Sequence, residues 1–164
     1  MHSSLLAALA LSGALLAPAH AQQACVSDHP AITRIQSQWA APATAAAQSL
    51  SGSFAPVTVQ LLPLAQGEER FGPLQVKSRK TMRFFSQLEW RVDKEGDYWL
   101  VADSGAWMDV KDGAQALAPI TFNHGLRCAG IHKALQFHLR PGRYQLVIAS
   151  DETDRVKIAA DMAQ

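Results

Sequence analysis

Three histidines crowd around one cysteine: His124, Cys128 and His132 stand four residues apart, and His138 follows six residues later. Imidazole and thiolate suit zinc or copper, and a β-hairpin can bring such residues onto one face. The spacing matches no compact metal motif, and a hydrogen-bonded or solvated histidine is the commoner use of the residue. His124 and His132 are the candidate ligands if a divalent metal is held; otherwise no cofactor is expected.

A second constellation is Trp107-Met108-Asp109-Val110. On a strand, Trp107 and Asp109 share one face and Met108 and Val110 the other. An indole beside a carboxylate can stack on a sugar ring while the acid accepts its hydroxyl protons. The plainer reading is that Trp107 packs in the core and Asp109 opens a turn. Trp107, Asp109 and His138 are the candidate ligand-binding residues.

Catalysis has less to stand on. The chain has no Gly-x-Ser-x-Gly elbow, no Gly-rich phosphate loop, no zinc-protease helix and no Cys-x-x-Cys pair. Glu89, Asp103 and Asp109 are carboxylates that a fold could bring together for glycoside hydrolysis, but no spacing argues for it.

The elements that must position these residues are mostly strands. Residues 133–139 alternate strictly, with Leu135, Phe137 and Leu139 opposite Gln136 and His138. Similar runs occupy 57–62, 82–92, 98–102, 106–110, 118–123, 144–149 and 155–160, separated by turn residues such as Asp93-Lys94-Glu95-Gly96, Lys111-Asp112-Gly113 and Pro141-Gly142. Residues 74–79 are expected as a short strand, 66–70 as a polar loop and 124–130 as a Gly-rich loop. Ile32, Ile35 and Trp39 predict a short helix over 27–38, and the small residues of 40–53 predict a surface connector. The expectation is an all-β antiparallel sandwich or jelly roll with a short N-terminal helix, the sandwich occupying 56–164. Adjacent aromatics such as Phe84-Phe85 and Tyr98-Trp99 must face opposite ways, so one of each pair is exposed or lies under a second layer.

Residues 1–21 have the order of a secretory signal: a short polar start, an apolar run from Leu5 to Leu16, and Ala19-His20-Ala21 before the expected cleavage. The apolar run is shorter than the roughly 20 residues that cross a membrane, so removal is expected rather than anchoring. The competing reading is an uncleaved helix. Periplasmic or secreted localisation follows from cleavage. There Cys25 and Cys128 are expected to form a disulfide closing about 100 residues, worth roughly 4–5 kcal/mol in the chain-entropy model. A metal-binding or reactive thiol at Cys128 is the alternative. A formal net charge of +1 without runs of like charge gives no sign of nucleic acid as a partner. An envelope protein or a small ligand is expected instead.

Tyr98-Trp99-Leu100-Val101-Ala102, Gly105-Ala106-Trp107-Met108-Asp109-Val110, His124, Cys128-Ala129-Gly130-Ile131-His132-Lys133 and the run from Phe137 to Tyr144 resemble a group of small exported proteins of proteobacteria. Some of that group carry a homogentisate 1,2-dioxygenase label, which implies ferrous iron held by two histidines and a glutamate. A set of His124, His132 and Glu152 can be drawn in this chain, but the spacing does not support it. Pro141-Gly142-Arg143-Tyr144-x-Leu146-x-Ile148 is similar to the closing strands of jelly-roll accessory domains attached to secreted enzymes. That resemblance implies a binding role without catalysis, the metal-dependent role of His124, His132 and His138 being the alternative.

Overall fold

Strict alternation in 133–139 becomes strand β10 (Ile131–Leu139), in which Leu135, Phe137 and Leu139 are buried and His138 is exposed. The computed structural model describes residues 29–128 and 130–163, without the side chains of residues 124–128. The expected signal segment and Cys25 lie outside the described residues, as does the side chain of Cys128.

Two sheets face each other. The first contains β1 (Thr44–Ala45), β3 (Phe54–Gln60), β12 (Arg155–Met162), β6 (Gly96–Ala102), β10 and β9 (Thr121–Cys128), in that order. The second contains β2 (Ser49–Ser51), β5 (Phe84–Val92), β11 (Gly142–Ser150), β7 (Trp107–Asp112) and β8 (Gln115–Ala116) in order, with β4 (Leu62–Pro63) on β5. Pairing is antiparallel except for β1 with β3 and β2 with β5. The expected antiparallel sandwich is therefore the fold.

The core between the sheets is built from inward positions of β5, β6, β7, β10, β11 and β12. Trp90 is its largest member, fully buried, edge-on to Phe54 and Tyr98, with Nε1 donating to the Gly52 carbonyl over 2.9 Å. Burying the indole satisfies the hydrophobic term only because that N–H keeps an acceptor. Tyr98 and Tyr144 repeat the device at the same end. Each hydroxyl donates to the carbonyl four residues upstream, Lys94 at 2.9 Å and Arg140 at 2.8 Å, which pins the turns before β6 and β11.

Second layers resolve the adjacent aromatics. Tyr98 faces the inter-sheet core, while Trp99 lies outside under helix α1 (Pro30–Trp39). Ala31, Ile32, Ile35 and Trp39 of α1 pack on Trp99, Val101, Ala134 and Ala159. Lys157 Nζ donates to the Trp39 carbonyl and sits 4.9 Å over its ring, so a cation meets the negative end of the helix.

Four sequence expectations are corrected. The connector over 40–53 supplies β1 and β2, one to each sheet. Residues 66–70 belong to helix α2 (Leu64–Phe71), not to a loop. Residues 74–79 form no strand and lead into a 3-10 turn at Arg79–Thr81. The expected Gly-rich loop over 124–130 is instead the continuation of β9 as far as Cys128.

Candidate functional site

The outward positions of the second sheet form a grid that the strand registers define. Across β5, β11 and β7, the first row is Phe85, Ala149 and Trp107, the second Gln87, Val147 and Asp109, and the third Glu89, Gln145 and Lys111. Beyond them Arg91 of β5 stands opposite Arg143 of β11. Apolar character thus gives way to polar amides and charges along the same face.

The apolar end is roofed by α2 and the segment after it. Leu74, Phe85, Val147 and Ala149 form a buried cluster, and Leu64, Phe71, Val76, Met82 and Trp107 pack against it. Gly67 fits here because a Cβ would meet Phe85 Cδ1 at 2.7 Å. Glu68 holds the segment in place: its carboxylate takes Arg79 Nε and Nη2, each at 2.7 Å, and the Leu74 amide at 3.1 Å. Arg79, then the Leu74 N–H, lowers the Glu68 pKa below the usual carboxylate range.

Where the roof ends, a groove opens. One lobe, about 200 Å³, runs between Gly72, Pro73 and Gln75 on the roof and Lys111 and Gln145 on the sheet. A second, about 360 Å³, continues over Glu89, Arg143 and Tyr144. Gln87, Gly113 and Gln145 line both, so the two are one open groove. Gly113 turns the chain at φ +57°, a left-handed conformation suited to glycine, and brings β8 to the groove rim. No hydrogen bond within the chain engages the side chains of Gln87, Gln145 or Asp109 among the described residues. Their donors and acceptors face water or a ligand.

The expected placement of Trp107 and Asp109 on one face is present, on the first and second rows of this grid. Trp107 is half-buried beneath the roof, so its packing role dominates, and its Nε1 has no acceptor among the described residues. Lys133 approaches from the first sheet: it is 8% exposed, donates to the Ala106 carbonyl at 2.9 Å, and stands 5.8 Å over the Trp107 ring. Burial pushes its pKa down, with Asp109 acting in the opposite sense.

His132 and His138 do not converge. His132 and His138 lie six residues apart on β10, roughly 20 Å at strand spacing. His138 contacts Asp97 at 2.8 Å and Glu95 at 3.2 Å, and these carboxylates, Asp97 first, raise its pKa above the ordinary imidazole value. His132 lines a separate cleft of about 290 Å³ with Ser104, Asp151 and Glu152. The His132 and Glu152 of the imagined iron set thus share a cleft, while His124 is known only by its backbone register opposite Lys133. Among the described residues no group of three or more His, Cys, Asp and Glu could hold a metal ion.

Gln87, Lys111, Arg143 and Gln145 were not singled out by the sequence reading. Their signal was there as outward parity: once Trp107 and Asp109 define a face of β7, Lys111 is the next position on it. The partner strands became known only with the registers. No protein-family model matches the chain, and no curated protein matches it.

Proposed function

We propose that this chain is an exported, non-catalytic binding module that takes a polar, hydroxyl-rich ligand of the sugar class along the outer face of the second sheet. The observation that carries it is the groove floor, where Gln87 and Gln145 present unengaged amides beside Glu89 and Lys111. Amides and carboxylates in fixed register match the donor and acceptor pairs of ring hydroxyls. Phe71 and Pro73 supply an apolar wall for the C–H face of a ring. A rigid sheet holding such a row loses little entropy on binding. Removal of residues 1–21 would deliver the module to the periplasm or beyond.

Calorimetric titration of the chain from Gln22 with neutral and acidic oligosaccharides tests this. Binding should be weakened at least ten-fold by Gln87→Ala/Gln145→Ala, with the circular dichroism spectrum unchanged. Binding that survives this double variant places the ligand elsewhere.

A protein partner is the second reading, favoured by Ile120, just before β9 and 55% exposed, and Phe122, within β9 and 62% exposed, β9 being an edge strand among the described residues. A free edge pairs readily with an extended segment of another chain. Ile120→Ser/Phe122→Ser should then abolish a stable complex recovered from cells while leaving oligosaccharide titrations unchanged. Recovery of the same complex with this variant removes the reading.

A further inference from the structure

We infer that the ligand of this groove is an acidic sugar whose carboxylate is read by Lys111 and Arg143; this rests on the proposed sugar-binding role of the same face. Lys111 lines one lobe and Arg143 the other: Lys111 is directly opposite Gln145 in the β7–β11 register, and Arg143 precedes Gln145 by two residues on the same face of β11. The two cations therefore both adjoin the amide that both lobes share.

Their charges are open to a ligand. Among the described residues no carboxylate lies within 4 Å of Lys111. Among the described residues Arg143 Nη1 has only the Glu89 carboxylate as an ionic partner, Oε2 at 3.8 Å, and it remains exposed. Glu89 is meanwhile engaged through its other oxygen by Ser49 at 3.3 Å and Arg91 at 3.4 Å. Of the charged residues lining the groove, two are cationic and one is anionic, and the anion already has its own partners.

A guanidinium presents a planar fork that matches a carboxylate in two parallel hydrogen bonds, and an ammonium adds a mobile point charge. Adjoining the same amide, one across the strand pair and one along the strand, the pair fits a ring carrying one carboxylate among hydroxyls. A uronic acid has that chemistry. A neutral hexose would leave both cations without a counter-charge, and binding it would desolvate them without return.

The test titrates the chain from Gln22 with oligomers of galacturonic, glucuronic and mannuronic acid, and with the same oligomers after carboxyl reduction to neutral sugars. At least one uronate should bind ten-fold or more tightly than its reduced counterpart at low salt, and the advantage should shrink as ionic strength rises. Lys111→Gln/Arg143→Gln should bring the two forms to equal affinity, while Lys80→Gln/Lys94→Gln, which removes the same two charges from exposed positions outside the groove, should preserve the difference. Equal affinity for both forms in the parent chain overturns the acidic-sugar assignment and leaves the sugar-binding reading standing. No binding of either form overturns both. A sulfated neutral oligomer that binds as tightly as the uronate overturns the assignment to a carboxylate.

Discussion

Lys133 is the residue whose burial needs most explanation. Among the described residues its ammonium has one hydrogen bond, to the Ala106 carbonyl, and lies over the Trp107 ring in a site that water scarcely reaches. Unfolded, the amine titrates near its ordinary 10.5; folded, burial holds it lower. Between those two values the unfolded chain binds more protons than the folded one, so stability must rise with pH across that interval. Lys133→Met, similar in volume and uncharged, should flatten this rise, as read by urea unfolding at a series of alkaline pH values. His138 behaves in the opposite sense. Asp97 and Glu95 raise its pKa, so its contribution is complete below 6.5 and is lost as pH climbs through the raised folded value. His138→Gln should remove that loss from the pH profile of the melting temperature. A parallel profile in parent and variant would show that the exposed pair is screened away.

At the scale of elements, the roof over the second sheet decides whether the groove exists. Gly67 lies against Phe85 with no room for a methyl group, so Gly67→Ala should lift α2 and cost about 1–3 kcal/mol, measured by chemical denaturation. Arg79→Ala acts differently. It frees the Glu68 carboxylate at the surface and loosens the segment from Gly72 to Val76, so ligand affinity should fall several-fold while the unfolding midpoint hardly moves. The same region shows why part of the fold was illegible in sequence. Gln66-Gly67-Glu68-Glu69-Arg70 has the composition of a loop, and the helix forms because Leu64, Gly67 and Phe71 fall on one face against β5. Glycine at the point of closest approach hid the apolar stripe. The strands from 82 to 160 were legible because alternation and turn residues agreed there. Residues 124–128 failed on the same logic, since Gly125 reads as a loop residue although β10 pairs with this stretch around a register shift. Trp107 and Asp109 were legible as a face of β7, but the rest of the groove was not. Parity fixes which residues share a face of one strand and says nothing of which strand lies alongside.

For the whole molecule, the question is what keeps the sandwich folded. The two sheets bury a single core, and α1 adds a second apolar layer over β6, β10 and β12. That layer depends on the start of α1 staying against Trp99, where the His29 ring lies 4.8 Å from the indole. A cross-link between Cys25, four residues before His29, and Cys128, at the end of β9, would tie this end of the chain to the edge of the first sheet. It would act chiefly on the unfolded state, by removing the freedom of about 100 residues. We expect the chain from Gln22, recovered from an oxidising compartment, to show no free thiol on titration under denaturing conditions. Reduction should then lower its unfolding free energy by about 4 kcal/mol in the chain-entropy model. Oligosaccharide affinity should be unchanged by the same treatment while the protein remains folded, because the groove lies on the other sheet. Two titratable thiols in the untreated protein would refute the cross-link. The stability of the sandwich would then rest on its core and the α1 layer alone.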